Sequence, residues 1–377
     1  MISVSATNLG ALTAALEAAL RGSGPAVLPL AASDLVRASD DVLLTQVGDD
    51  VAVVVQTSGS TAAPKRVCLS ADALIASARA THARLGGAGQ WLMAVPANYI
   101  AGLQILVRSL DSGIDPHIAS LESFSPQSFV AAIEGMTGAR RYASVVPAQL
   151  QRLVELATAS TDARRSLTRL DALLVGGQAV STHLRAEAER LGLNLVRSYG
   201  STETSGGCVY DGVPLEGVEL GLEETGELRI RGNILALEYT EQRLTDQHFV
   251  ERDGQRWYLT GDDAEITDGV LRVIGRRNRS IISGGIKVSL DEVDATVAEV
   301  LITRFATVSV ENEQWGERPV LVAQGVGSPE LDDEVRAVVL ERLGKVAVPD
   351  RILWVSELPT GATGKPDLVA IARLATA

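Results

Sequence analysis

Aromatic side chains are scarce: Phe, Trp and Tyr together supply 4% of the 377 residues. Ala, Val and Leu must fill the core instead, and an apolar content of 46% is enough to fill one. Only two cysteines occur, Cys68 and Cys208, far apart and without metal-ligand spacing. This excludes a disulfide framework, and both read as reduced thiols of a cytoplasmic protein. The histidines His82, His117, His183 and His248 are scattered, and no two stand at i, i+4, which argues against a histidine metal site. Long apolar runs are missing, so no segment is expected to insert in a membrane. The first residues lack the basic stretch and apolar run of a signal peptide. Positive charge is in deficit, with 34 Lys and Arg against 47 Asp and Glu and a net charge of −13. Nucleic acid is therefore excluded as the main partner, since phosphate binding needs a dominant basic face. An anionic small molecule is not excluded, because a few placed cations can outweigh the global charge locally.

What is present reads as α/β. Leu9, Leu12, Leu16 and Leu20 fall on one helical face that ends near Gly22. From about residue 50 to 200, the runs Val51–Val55, Trp91–Val95, Tyr142–Val146, Ala172–Val175 and Leu193–Val196 look like buried strands. Helix starts are expected between them at Ser70, Ser125-Pro126 and Ser181. This alternation predicts a large N-terminal domain of mostly parallel, helix-covered sheets, with ligands beyond the carboxyl ends of the strands. After about residue 210, short strands between Gly and Asp turns predict a β-rich subdomain (Glu227–Arg231, Trp257–Thr260, Val270–Ile274). A small, mobile α+β C-terminal domain is expected to follow. It would have a capping box at Ser289 and Glu292, strands near 304–310 and 319–325, and a helix opened by Ser328-Pro329. The domains are expected to be 1–275 and 276–377.

Six segments carry chemistry. Thr57-Ser58-Gly59-Ser60-Thr61-Ala62-Ala63-Pro64-Lys65 follows the first strand directly. Its hydroxyls and backbone N–H groups can cradle phosphate, and Lys65 adds a mobile positive charge. It is not the P-loop pattern, which needs Gly-Lys-Ser/Thr opening a helix. Leu174-Val175-Gly176-Gly177-Gln178 ends a strand with two glycines, which lets a planar ligand approach the backbone. The others are Arg197-Ser198-Tyr199-Gly200-Ser201-Thr202-Glu203-Thr204, Tyr258-Leu259-Thr260-Gly261-Asp262-Asp263, the stretch Gly275 to Lys287, and Leu358-Pro359-Thr360-Gly361-Ala362-Thr363-Gly364-Lys365.

In this order they resemble the adenylate-forming superfamily of acyl-CoA synthetases, luciferases and peptide-synthetase adenylation domains. The resemblance implies that Thr57, Ser58, Gly59, Ser60, Thr61 and Lys65 form a phosphate loop, with Ala62 where Gly is usual. Gly176, Gly177 and Gln178 would line the acyl and adenine pockets. Ser198, Tyr199 and Gly200 would flank the adenine, Thr202 would contact the α-phosphate, and Glu203 would hold Mg2+. A hard carboxylate suits that ion, which keeps most of its waters. Asp262 would accept the ribose hydroxyls, and Arg276 would reach ribose or phosphate. Asn278 would be the hinge, where Asp or Lys is commoner, and Gly284 and Gly285 would border the pantetheine arm. Lys365 would stabilise charge in the first half-reaction. ATP, Mg2+ and coenzyme A follow as cofactor and co-substrates. Only a short stretch precedes Thr57, so the chain is expected to be a trimmed version.

Within the superfamily, Pro96 to Gln104, Ser144 to Leu150 and Tyr199 to Gly217 resemble the o-succinylbenzoate–CoA ligases of menaquinone biosynthesis, in their short actinobacterial form. Tyr99 stands where many relatives have His. Such a substrate carries a second carboxylate that needs donors. Ser144, Gln149 and Arg152 are the candidates, with Tyr99, Gln104, Gly176 and Ser201 nearby. Another aryl or aliphatic acid, loading of a carrier protein, a non-catalytic nucleotide-binding role, and a homodimer stay open at this point.

Overall fold

The computed structural model describes residues 1–37, 46–57, 65–119, 124–360 and 366–376. Among the described residues the strands form four sheets. The valine run becomes the strand Val51–Thr57, buried from Val51 to Val55. It pairs parallel with Val27–Leu30, which pairs parallel with Ile2–Ser5. On its other side Lys65–Ser70 returns antiparallel, and Glu238–Tyr239 closes that edge. The sequence pattern does not mark Lys65–Ser70 as a strand, because it opens on two basic residues and its apolar stretch is short.

The second sheet has seven strands. Its centre is parallel, as expected: Gln90–Met93 pairs with Arg141–Val145, which pairs with Ala172–Val175, which pairs with Leu195–Ser201. Gly206–Tyr210 then turns back antiparallel on Leu195–Ser201. A tight turn replaces the helical crossover there, and only an antiparallel partner can be reached that way.

The helices start where the caps predict. Ser70 accepts from the N–H of Ala73 ahead of Ala71–Arg84, Ser125 from Ser128 ahead of Pro126–Glu134, and Ser181 from Leu184 ahead of Thr182–Arg190. Ser289 caps Leu290–Val297 through Glu292 N. The reciprocal half of the expected capping box is redirected, since the Glu292 carboxylate lies 3.5 Å from Arg272 instead. Among the described residues no helix is long and apolar enough to cross a bilayer.

The third sheet is antiparallel and built on the long strand Gln255–Thr267, with Glu227–Gly232 and then Val218–Leu222 on one side and Phe249–Arg252 and Val270–Arg276 completing it. The fourth begins at Ser280–Ser283 and includes Phe305–Asn312 and Gly316–Gln324. Between them lies a single 3-10 turn, Arg277–Arg279.

With few aromatics, the core concentrates those it has. Trp91 and Tyr142 are fully buried, with ring centroids 5.1 Å apart. The buried guanidinium of Arg108 lies 4.5 Å over the Trp91 ring. Trp91 Nε1 donates to His82 Nε2 at 3.1 Å, which requires a neutral His82 with its proton on Nδ1. Burial, then the neighbouring Arg108, pulls the His82 pKa from 6.5 down to about 4. Between those two values the unfolded chain takes up a proton that the native protein refuses, so stability falls as pH falls. The loss from pH 7.5 to pH 5 should be about 2 kcal/mol. His82→Gln keeps an acceptor for Trp91 and does not titrate. Its urea midpoint should fall less over that range than the wild-type midpoint, and equal falls would reject the assignment.

Candidate active site

The site is assembled by strand register. Val270–Arg276 pairs antiparallel with Gln255–Thr267 so that Arg276 stands opposite Asp262. Arg276 Nε lies 2.9 Å from Asp262 Oδ1. From the second sheet, at the carboxyl end of Leu195–Ser201, the Tyr199 hydroxyl donates to Asp262 Oδ2 at 2.6 Å. Asp262 is 4% exposed, and burial raises its pKa while Arg276 and the Tyr199 hydroxyl oppose the rise. Burial, then the adjacent Asp262 charge, raises Tyr199 in turn. Two glycines are needed for this arrangement. A Cβ on Gly200 would sit 2.2 Å from the Gly206 carbonyl oxygen, so the strands could not pair. Gly261 has φ +74° at a bulge in the strand, where the pairing register shifts between Leu259 and Asp263 next to Asp262. Tyr199, Gly200, Ser201, Tyr258, Asp262 and Arg276 border one small cleft.

Glu203 lies beside it in the buried 3-10 turn Thr202–Thr204. The Tyr239 hydroxyl donates to Glu203 Oε1 at 2.6 Å. Tyr239 pairs with Val67 on the strand that Lys65 opens, and Lys65 Nζ stands 5.9 Å from the Tyr239 ring centroid. The lysine of one motif and the carboxylate of another thus meet at one tyrosine. Thr57 lies at the end of the partner strand, its hydroxyl 3.4 Å from the Lys65 carbonyl oxygen. Among the described residues no group of three or more His, Cys, Asp or Glu could cage a metal. A magnesium ion held by phosphate oxygens and water needs only one or two carboxylates, and Glu203 suits that demand.

The remaining candidates distribute unevenly. Ser58, Gly59, Ser60, Thr61 and Lys365 lie outside the described residues. Gly176, Gly177 and Gln178 follow Ala172–Val175, and Gly176 packs against the Ser198 carbonyl. Tyr99 precedes the helix Ile100–Ser112. Gln104 in that helix is fully buried and donates to the carbonyls of Leu74 and Ser205, at 3.2 and 2.7 Å. It thereby braces the turn that carries Glu203. Ser144 lies half-buried in Arg141–Val145. The Gln149 side-chain oxygen accepts from Val146 N at 3.0 Å and starts its own helix. Arg152 is exposed, donates to the Phe124 carbonyl at 3.0 Å and lies over the Phe124 ring. Asn278 is exposed in the Arg277–Arg279 turn. Gly284 and Gly285 are exposed, and Gly284 adjoins the Trp315 ring.

Sequence reasoning passed over Tyr239, Ser205 and the role of Asp263. Ser205 is buried with φ +52° and is pinned by Ser77, Gln104 and Ile234. Asp263 pairs with Lys287 and with Arg277, the latter at 3.2 Å. Only Asp263 left a readable signal, as the second carboxylate of Gly261-Asp262-Asp263.

A model of the AMP-binding enzyme family matches residues 23–219, and a model of the AMP-binding enzyme C-terminal domain matches residues 292–365. A Mycobacterium tuberculosis protein named "Probable 2-succinylbenzoate–CoA ligase" is 38% identical over 98% of this chain and 96% of its own length. The 2-succinylbenzoate–CoA ligase of Geobacillus kaustophilus is 34% identical over 86% of this chain and 70% of its own. Among solved structures, the o-succinylbenzoate CoA synthetase of Bacillus subtilis in complex with its acyl-adenylate intermediate aligns with TM-score 0.76. It covers 95% of this chain and 80% of that one at 22% identity, and so supports the adenylate-forming fold. The chain belongs to the AMP-binding enzyme family, and within it to the relatives of the 2-succinylbenzoate–CoA ligases.

Proposed function

We propose that this protein joins o-succinylbenzoate to coenzyme A with ATP, through an acyl-adenylate, releasing AMP and pyrophosphate in menaquinone biosynthesis. The observation that carries the reading is the convergence of Tyr199, Asp262 and Arg276 on one cleft, with Glu203, Tyr239 and Lys65 beside it. Among relatives, the 38% match along nearly the whole chain supports the same acid.

A carboxylate is a poor acyl donor because its leaving group would be oxide. Attack of its oxygen on the α-phosphorus of ATP turns that oxygen into part of AMP and releases pyrophosphate. The protein's work is to hold the two anions end to end and to stabilise the charge that moves between them. In this reading Asp262 accepts from the ribose hydroxyls, and its ionised form strengthens those bonds. Tyr199 keeps that carboxylate oriented. Thr202 and the Thr57–Lys65 segment face the phosphates, and Glu203 is the ligand for Mg2+. The ion, when bound, neutralises phosphate charge. Lys365 supplies a cation to the acid and the bridging oxygens. The thiol of coenzyme A then attacks the acyl carbon and AMP leaves, so no side-chain nucleophile is required.

We further propose that residues 1–275 and 276–377 act as two lobes that reorient about Asn278 between the half-reactions. This would withdraw Lys365 and bring Gly284 and Gly285 to the pantetheine arm. For the second carboxylate, Ser144, Gln149 and Arg152 remain the proposed donors, with Tyr99, Gln104 and Ser201 close by. A cytoplasmic location belongs to the same reading, since Cys68 and Cys208 are both buried free thiols and the co-substrates are intracellular. A homodimer is part of it too.

With ATP and Mg2+, pyrophosphate release across a panel of acids should be strongest for o-succinylbenzoate, and adding coenzyme A should yield its thioester by mass spectrometry. Release for a different acid alone, or thioester formation on a carrier protein only, would replace the substrate assignment. Lys365→Ala should slow adenylation by ~10²–10³-fold. It should leave thioester formation from supplied acyl-adenylate within a few-fold of wild type, and equal losses in both steps would contradict its role. Arg152→Ala should raise KM for the acid several-fold at constant KM for ATP. An unchanged KM removes Arg152 from the site.

A further inference from the structure

Glu203 is 8% exposed, and a buried carboxylate must find donors. The Tyr239 hydroxyl supplies one at 2.6 Å. Tyr239 is itself 2% exposed and fixed from several sides. Its backbone pairs with Val67, and its N–H donates to Thr245 Oγ1 at 2.9 Å. Its ring packs on His248 and Phe249, with centroids 5.6 and 5.9 Å away. Three residues earlier, Ala236 N donates to the Glu203 carbonyl at 2.8 Å, so the same segment grips both the backbone and the side chain of Glu203. On the other side, Lys65 rests over the aromatic face rather than on the carboxylate.

We propose that Tyr239 is the positioning residue of the magnesium site. Its hydroxyl fixes the Glu203 carboxylate for the ion, and its ring keeps Lys65 from neutralising that carboxylate before substrate arrives. The inference rests on the proposed role of Glu203. The physical reason for a spacer is simple. A lysine and a glutamate free to meet in a cleft of low dielectric would pair with each other, and both would then be lost to the phosphates and the metal. An aromatic ring with a hydroxyl at its far end gives each charge its own partner.

Tyr239→Phe removes the hydroxyl and keeps the ring. Binding is read with two ligands: ATP with excess Mg2+, and AMP in EDTA. The variant should bind MgATP about tenfold more weakly, the scale of a charge-assisted hydrogen bond, and AMP within twofold of wild type. The Mg2+ concentration for half-maximal pyrophosphate release should rise in parallel. Thr245→Val, which removes the hydroxyl that anchors the Tyr239 backbone and leaves Glu203 and the tyrosine itself intact, should show the same split in weaker form and covers the case in which Tyr239→Phe does not fold. Equal weakening of MgATP and AMP would assign Tyr239 a structural role and overturn the inference. So would normal MgATP binding by the folded variants. Wild-type protein that binds no MgATP would bring down the functional reading as well, so the two failures are distinguishable.

Discussion

The site depends on a buried carboxylate that must be satisfied from two directions. Asp262 receives a hydroxyl from Tyr199, 63 residues earlier in the chain, and a guanidinium from Arg276 on the neighbouring strand. A one-residue slip in the pairing of Gln255–Thr267 with Val270–Arg276 would move Arg276 to the wrong face and leave Asp262 buried against Tyr199 alone. The register therefore constrains the proposed site as well as the packing. It also ties the seven-stranded sheet to the last strand before the small C-terminal sheet, so two sheets share one charge cluster.

Charge is organised the same way on the far side of Arg276. The Arg276 backbone N–H donates to Asp291 at 2.7 Å, and Arg279 bridges Asp291 and Asp294. Asp294 is raised to about 6 by burial, against the pull of Arg279. Arg277 reaches back to Asp263 and to Thr225. A protein with a net charge of −13 thus gathers several of its arginines into one short segment. Each of these arginines is paired with a carboxylate, so the cations hold the join between the third and fourth sheets.

Much of the scaffold was legible because its signals are local. Ser70, Ser125 and Ser181 cap helices as their spacing implies, and the runs at Val51, Tyr142 and Ala172 are strands with parallel neighbours. The residues around Tyr199 and Asp262 were legible as motifs, but their mutual contact was not, since hydroxyl and carboxylate meet only through two sheets. Tyr239 carried no signal: a tyrosine after Glu238 reads as an ordinary strand residue until the turn at Glu203 is placed against it. Gln149 and Arg152 illustrate the opposite case. Their residue types suit a carboxylate site, yet part of each side chain already has a backbone partner, Val146 N for the Gln149 oxygen and the Phe124 carbonyl for one Arg152 nitrogen. Composition and spacing cannot reveal such competition, because Phe124 reaches Arg152 from 28 residues earlier in the chain and the Val146 N–H is freed for Gln149 only by the helix start.

The central claim is that one cleft receives the nucleotide with its ribose on Asp262 and its metal-bound phosphates on Glu203. A crystal structure with ATP and Mg2+ bound tests it most directly. The account predicts ribose hydroxyls within hydrogen-bond distance of Asp262, adenine against Tyr199, and the ion on the Glu203 carboxylate. A nucleotide bound elsewhere, with Asp262 still closed on Tyr199 and Arg276, would contradict it.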